Sequence, residues 1–207
     1  MTYITDTLYW ISTGLLVPVV ILLIFFFLRA LLLIGSFFGQ YVAMRRTSTL
    51  INNELEDLNK ENVLSLVEKL LKKNQSLIVT YMLRLLKAED NAPLRQRIVS
   101  DFEMEAEKDL STSKTLSKMG PMLGLMGTLI PMGPALVGLS TGDIASMAYN
   151  MQVAFATTVI GLFAAGIGYI TQSVKHRWYL QDLTNLEFVA ELLNENKKIS
   201  YETSIVK

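Results

Sequence analysis

Apolar residues gather into three long runs along the chain, and almost all acidic residues lie outside them. The runs cover residues 8–28, continuing past Arg29 to 44, then 119–139, and finally about 144–170. No Asp or Glu occurs in residues 7–53, 110–142 or 144–181. Each run supplies the ~20 residues that a helix needs to cross a bilayer. The pattern therefore predicts an all-α membrane protein with three transmembrane helices and long cytoplasmic helical extensions.

Basic residues lie at one end of each predicted span, and this fixes an expected orientation. They are Arg45 and Arg46 after the first run, Lys114 and Lys118 before the second, and Lys175 and Arg177 after the third. Residues 1–7 and 140–143 contain neither Lys nor Arg. Because positive residues favour the cytoplasmic side, we expect a multi-pass protein of the cell inner membrane. Its N-terminus and the 140–143 turn lie outside, and its C-terminus is cytoplasmic.

These spans divide the chain into four predicted segments. They are an extracytoplasmic N-terminus with the first transmembrane helix (1–44), a cytoplasmic helical segment (45–118), the second and third transmembrane helices (119–171), and a cytoplasmic C-terminal helix and tail (172–207). Periodicity predicts amphipathic helices at 62–73 and 76–88 in the cytoplasmic segment. Asn91 is a candidate cap for a third helix, which no Gly or Pro interrupts between 94 and the second span. Another stripe predicts that the third span continues as a helix to about 195.

The composition excludes several classes of function. Of 207 residues, 19 are Lys or Arg and 19 are Asp or Glu, so no net positive field favours nucleic acid. The chain has no Cys and a single His, His176, which excludes a cysteine nucleophile and a multi-histidine metal site. We find no nucleotide-binding loop either. We therefore expect no catalytic site, no cofactor and no metal.

Small residues form narrow stripes on the second and third spans. The stripes contain Gly120, Gly124 and Gly127 on the second span, and Ala154, Thr158, Gly161, Ala165 and Gly168 on the third. Small residues let helix backbones approach closely in a membrane, where lipid supplies no hydrophobic drive for association. We interpret these glycines chiefly as packing residues.

Three threonines and two prolines make the same spans unusual. Thr128, Thr157 and Thr158 are among the few hydroxyls at mid-membrane depth, and Pro131 has no N–H to pair with the carbonyl of Gly127. Pro134 does the same to Ile130. One interpretation is a packing kink stabilised by a threonine hydroxyl. The other is a polar spot that lines a watery cavity, and spacing alone does not separate them.

Arg29 is the one basic residue inside the predicted membrane region. The simpler interpretation is that its side chain snorkels to the inner interface. The alternative is a charge that faces a pore or a lipid phosphate.

Two motifs resemble the signature of the MotA/TolQ/ExbB proton-channel family. They read Gly120-Pro-Met-Leu-Gly-Leu-Met-Gly-Thr128 and Ala154-Phe-Ala-Thr-Thr-Val-Ile-Gly-Leu162. Three spans, an outside N-terminus and a cytoplasmic segment after the first span resemble the ExbB/TolQ branch rather than four-span MotA.

The resemblance implies a homopentamer around a dimer of single-span partners of the ExbD/TolR type. Each partner helix would carry an Asp that accepts and releases the proton. By position, Thr128 and Thr158 would line the pore, with Thr157 and Pro131 beside them. Many ExbB-like chains have a Glu five residues before the second threonine, where this chain has Val153.

The expected function is therefore a proton-channel and stator subunit of a motor driven by the proton motive force, of the kind that powers protein transport. Because the spans contain no carboxylate or His, the chain alone should conduct protons poorly. The main alternative is a membrane scaffold that assembles through its small-residue stripes and conducts nothing. A third interpretation is a sodium channel that uses the same hydroxyls.

Overall fold

The computed structural model of the chain is helical throughout the part that it describes, which is residues 2–55, 76–88 and 91–205. Side chains are described within 3–44, 76–88 and 91–193, except at residues 5, 6 and 43. The helices are α1 (Thr2–Gly14), α2 (Leu16–Leu55), α3 (Leu77–Lys87), α4 (Ala92–Thr141) and α5 (Ile144–Ile205). The helices predicted at 76–88 and after 91 are confirmed. The one predicted at 62–73 lies outside the described residues.

Three helical stretches are long and apolar enough to cross a membrane, as the sequence predicts. They are Thr7–Val42, Ala92–Thr141 and Ile144–Leu193. A helix of 50 residues measures roughly 75 Å at 1.5 Å per residue, whereas the hydrocarbon core is about 30 Å thick. Only the apolar part of α4 and of α5 therefore fits inside the bilayer, and the charged part of each helix continues beyond it.

The first apolar run is interrupted once, which the sequence analysis did not anticipate. Leu15 separates α1 from α2, and its N–H donates to the carbonyls of both Ile11 and Ser12, each at 3.1 Å. The physical reason lies in the next turn, because Pro18 has no N–H to donate to the carbonyl of Gly14.

Side-chain caps begin the two longest helices. The Oδ1 atom of Asn91 accepts the Leu94 N–H at 3.1 Å, as the capping prediction requires. Asp143 does the same for α5, where its Oδ1 accepts the Ser146 N–H at 3.0 Å. Gly142 forms the turn between α4 and α5 with a φ of 77°, a left-handed conformation that glycine adopts without strain.

The chain divides into two compact units, each with residues from both halves of the sequence. Unit 1 contains the described residues of 1–36 and 111–173, and unit 2 contains those of 37–110 and 174–207. The apolar runs of α4 and α5 belong to unit 1. The charged ends of these two helices and α3 belong to unit 2.

Unit 1 has a thin core and a large exposed apolar surface. Its buried residues form two small clusters, around Val19, Leu23, Leu123 and Ile130 and around Ala30, Leu116 and Ala164. Large side chains such as Leu125, Leu129, Phe155 and Val159 are more than half exposed. An apolar surface of this extent is typical of contact with lipid or with other chains.

Unit 2 has a larger buried apolar core, formed by three helices. Ile78, Met82 and Leu85 of α3 pack with Phe102 of α4 and Leu186 of α5. The Tyr81 and Phe102 rings meet edge to face at 5.4 Å between centroids, a favourable aromatic geometry. The Tyr81 hydroxyl also donates to the carbonyl of Asp101 at 3.4 Å.

Candidate functional site

The backbones of α4 and α5 touch directly at two glycines. A Cβ atom built on Gly120 would lie 2.7 Å from the carbonyl oxygen of Gly161, and one built on Gly161 would lie 2.7 Å from the carbonyl oxygen of Gly120. The Gly161 Cβ would also lie 2.8 Å from the Cα of Gly124. No larger residue fits at Gly120 or Gly161 without separating the helices. Ala165 lies in the same contact, since its Cβ is 3.0 Å from the Cβ position of Gly120.

Thr157 continues this contact toward the turn at Gly142. A Cβ atom on Gly127 would lie 2.6 Å from the Thr157 Cβ and 2.7 Å from its hydroxyl oxygen. Thr157 is only 5% exposed, so its side chain occupies the space that Gly127 leaves open. Gly124 faces the backbone of Thr157 and Thr158 at ordinary van der Waals distances.

Each of the three predicted threonines donates its hydroxyl hydrogen to its own helix. Thr128 Oγ1 lies 2.7 Å from the Leu125 carbonyl, and Thr158 Oγ1 lies 3.1 Å from the Ala154 carbonyl. Thr157 Oγ1 lies within 3.0 Å of the carbonyls of both Val153 and Ala154. With their hydrogens used in this way, the hydroxyl oxygens retain lone pairs that can accept a hydrogen bond.

Burial separates the four predicted proton-path residues into two pairs. Thr128 and Thr158 are half-buried, whereas Thr157 and Pro131 are buried within unit 1. Helix α4 continues through Pro131. The Thr128 hydroxyl does not stabilise the carbonyl that this proline frees, because it donates to Leu125 and not to Gly127. The structure thus leaves only Thr128 and Thr158 partly open at the surface of the chain.

A second close contact between α4 and α5 lies on the other side of Gly120, away from the turn at Gly142. The Cβ position of Gly168 is 2.7 Å from the Ser117 nitrogen and 2.8 Å from the Leu116 Cβ. Ser113 and Thr171 are buried in the same unit, and the Ser113 hydroxyl has no hydrogen-bond partner among the described residues. Ser113 and Thr171 are not among the site residues predicted from sequence. Their only signal is that they lie on the helix faces that also carry Gly120 and Gly168.

Unit 2 contains a charged cluster that the sequence analysis missed. The Lys175 ammonium lies 2.9 Å from Oδ2 of Asp109, and the Tyr179 hydroxyl donates to the same oxygen at 2.7 Å. The side chain of Lys175 is 5% exposed and that of Asp109 is 39% exposed. Burial, followed by the hydrogen bond to Asp109, raises the pKa of Tyr179 above its ordinary value. Tyr179 therefore stays protonated as a donor at every physiological pH.

Asp182 lies one turn further along α5, beyond the apolar span. It is buried in unit 2, and burial raises the pKa of its carboxyl from 3.8 to about 7. Desolvation disfavours the charged form of a carboxyl and has this direction. Asp182 is thus an acid that changes charge near neutral pH.

Metal chemistry receives no support from the part of the chain that the structure describes. Within that part, no group of three or more His, Cys, Asp or Glu side chains could hold a metal ion. The polar groups at the contact between α4 and α5 around Gly120, Gly127 and Gly161 are mainly the Thr157 hydroxyl and backbone carbonyls. Such groups can solvate a charge or accept a hydrogen bond from a protonated group, but they do not titrate in the physiological range.

Comparison with known proteins agrees with the motifs. The family model described as the MotA/TolQ/ExbB proton channel family matches residues 65–187, more than half of the chain and all of both motifs. No curated protein matches the chain. Proteins of the matched family are membrane channel and stator proteins, not enzymes. The chain therefore belongs to the MotA/TolQ/ExbB proton channel family.

Proposed function

We propose that this chain is the channel and stator subunit of a motor of the ExbB/TolQ type, driven by the proton motive force. Five copies form a sleeve around a dimer of a single-span partner of the ExbD/TolR type. The partner contributes the Asp that carries the proton, and the sleeve contributes the hydroxyls around it. Proton entry biases rotation of the partner dimer, which passes force to a component outside the membrane.

The observation that carries this proposal is that the spans contain hydroxyl groups but no carboxylate and no His. Residues 7–53, 110–142 and 144–181 contain no Asp or Glu, and the single His, His176, follows the third apolar run. Proton relays through membranes normally use an intramembrane carboxylate or His. This chain belongs to a proton channel family but has no such group in its own spans. The acid that carries the proton therefore has to come from a second protein.

The hydroxyl geometry supports a specific division of labour. Thr128 and Thr158 are half-buried, and their hydrogens are donated to Leu125 and Ala154. Their free lone pairs suit the O–H of a protonated carboxyl, which is the neutral form that crosses a dry region at least cost. The proposed proton-path residues also include Thr157 and Pro131, which are buried and form the wall behind Thr128 and Thr158. No carboxylate of this chain takes part, since Val153 stands where many ExbB-like chains have Glu.

The proposal includes an orientation in the cell inner membrane. The N-terminus and the turn at Gly142 lie outside, and unit 2 and the C-terminus lie in the cytoplasm. Its support is the one-sided distribution of Lys and Arg along the sequence. The segment boundaries at 44, 118 and 171 follow from the ends of the apolar runs.

The first experiment determines the composition of the native complex. The protein is extracted gently from the membranes of its own host and weighed intact by native mass spectrometry. We expect five copies of this chain with two copies of a small single-span protein that carries an intramembrane Asp. Another stoichiometry without such a protein would reject the sleeve.

The second experiment tests the hydroxyls in that complex after reconstitution into vesicles with an internal pH-sensitive dye. Thr128→Val and Thr158→Val keep the branched shape but remove the hydroxyl, and we expect each to lower proton flux by at least tenfold with the complex still assembled. Thr13→Val is the matched control, because Thr13 donates to the Tyr9 carbonyl in the same way outside the motif. Equal flux in all variants would contradict the proposed role.

The alternative is a non-conducting scaffold assembled through its small-residue stripes. The glycine contact of α4 with α5 lies within one chain and is equally compatible with both functions. A scaffold predicts that Gly161→Leu disrupts assembly whereas the threonine variants change nothing. A sodium channel is separated by replacing the proton gradient with a sodium gradient across the same vesicles.

A further inference from the structure

Arg29 lies beside a small cavity between α2 and α4 in unit 1. The cavity has a volume of about 240 Å³. Phe25, Phe26 and Arg29 line it from α2, and Ser111, Thr112, Thr115 and Leu116 line it from α4. One cation, three hydroxyls and two aromatic rings therefore meet in one place. This combination is not explained by the packing of the spans or by the proposed proton path.

The cation in this cavity has no counter-charge within the chain segments that build it. Neither 7–53 nor 110–142 contains Asp or Glu. Among the described residues, the guanidinium of Arg29 and the hydroxyl of Thr112 make no hydrogen bond or ion pair. Two donors thus lie beside one space without an acceptor. An Arg in a mainly apolar helix is costly unless it reaches water or an anion.

The cavity lies where the headgroup of a lipid would lie. Residues 8–28 form a mainly apolar helical run of about 21 residues, interrupted at Leu15 and roughly 30 Å in length, which matches the hydrocarbon core. Arg29 follows that stretch directly, and Ser111–Leu116 precedes the second apolar run at 119. Both walls of the cavity therefore lie at the same boundary of the bilayer, at the depth of the lipid phosphates.

The geometry points to a binding site for the phosphodiester of an anionic glycerophospholipid. Arg29 pairs with the phosphate oxygens, since its planar guanidinium matches their geometry, and Thr112 donates a further hydrogen bond. Thr115 supports the wall through its own bond to the Ser111 carbonyl at 2.8 Å. Phe25 and Phe26 cover the glycerol and the first methylene groups. A free phosphate ion would leave these two rings without a partner.

The test measures lipid binding to the assembled protein by native mass spectrometry. Protein purified and delipidated in dodecyl maltoside is titrated with phosphatidylglycerol. We expect Arg29→Gln to weaken binding roughly tenfold, the scale of losing a charge-assisted hydrogen bond, and Thr112→Val to weaken it by a smaller factor. Arg177→Gln is the matched control, because Arg177 is an exposed arginine that does not line the cavity, and this variant should bind lipid as the wild type does.

Two further probes identify the source of the phosphate. Diacylglycerol has the same tails without phosphate and should not bind at the site. Glycerol 3-phosphate at millimolar concentration has the headgroup without tails and should not displace the lipid. Displacement by it would assign the site to a soluble phosphate ester and overturn the lipid proposal. Binding of diacylglycerol equal to that of phosphatidylglycerol, or unchanged lipid binding in Arg29→Gln, would overturn it as well. If Arg29→Gln does not assemble, Thr112→Val decides the question alone.

Discussion

At the scale of single residues, the pair Asp109 and Lys175 carries the clearest energetic consequence. The Lys175 ammonium is almost completely buried in unit 2 and has the Asp109 carboxylate at 2.9 Å. A buried charge that loses its partner keeps its desolvation cost without compensation. Asp109 therefore matters mainly because it keeps the buried Lys175 charge paired, whereas the ion pair itself adds little net stability.

We predict that Asp109→Leu lowers the free energy of unfolding by about 3 kcal/mol, the usual cost of an unpaired buried charge. The double variant Asp109→Leu with Lys175→Met should recover most of this loss, because it removes the second charge as well. The measurement is unfolding of the purified protein in mixed micelles, followed by circular dichroism. Additive losses in the double variant would show that the two charges are not coupled.

Asp182 makes a prediction about pH. In the unfolded chain its carboxyl ionises near pH 4, whereas in the folded chain it ionises near 7. Folding therefore favours the protonated form, so the stability that this group supplies is complete below pH 4 and is lost as the pH rises to about 7.

Asp182→Asn cannot ionise and should unfold at a higher temperature than the wild type at pH 8, with the difference shrinking toward pH 4. The nearby charged and polar groups, Asp109, Lys175 and Tyr179, remain in place in this variant. Glu187→Gln, at an exposed residue of the same helix, is the control and should show no such trend. A constant difference across this pH range would contradict the assigned pKa.

At the scale of helices, α4 and α5 are held together where side chains are smallest. Gly120 of α4 and Gly161 of α5 bring the two backbones into contact. Gly166, also on α5, has nothing within 4 Å of its Cβ position. Gly161 and Gly166, both on α5, have the same chemistry but opposite surroundings.

We predict that Gly161→Ala lowers the free energy of unfolding by roughly 1–3 kcal/mol, because its methyl group collides with the Gly120 carbonyl and the helices must move apart. Gly166→Ala should change it by less than about 1 kcal/mol, since alanine is a better helix former than glycine. The two variants are compared by unfolding in the same mixed micelles. Equal losses would place the cost in contacts that both glycines make outside the chain, instead of in the α4–α5 contact.

Much of this element structure could be predicted from sequence, and the reasons are local. Apolar runs without acids mark the spans, and Asn91 marks a helix start because its side chain acts within one turn. The cluster at Asp109 could not be predicted, because its partners are 66 and 70 residues away along the chain. Only the register between α4 and α5 brings them together. The break at Leu15 was missed because hydropathy does not register the missing N–H of Pro18.

At the scale of the candidate site, the motifs located the helix pair but not the orientation of each threonine. Thr157 and Thr158 are neighbours of the same residue type, yet only Thr157 faces Gly127. This difference depends on the rotation of α5 about its axis, which spacing alone does not determine. The role of each residue in proton movement stays a prediction that the flux measurement tests.

At the scale of the whole molecule, the proposed orientation gives a labelling prediction. The chain has no Cys, so a single introduced Cys reports its own surroundings without a background. In intact cells, Thr141→Cys should react with a membrane-impermeant maleimide, whereas Gln181→Cys should react only after the membrane is opened. Both residues are exposed. The reverse pattern would invert the orientation and place unit 2 outside the cell.

The contact between Gly120 and Gly161 also has a mechanical consequence. Two helices that touch through their backbones have no flexible side chains between them to absorb a displacement, so they respond to a mechanical load as one rigid unit. In the proposed pentamer around a rotating partner dimer, deformation during each step would then occur at the interfaces between neighbouring chains. The exposed apolar residues at those interfaces would then set the mechanical compliance of the assembly, and with it the step size of the motor.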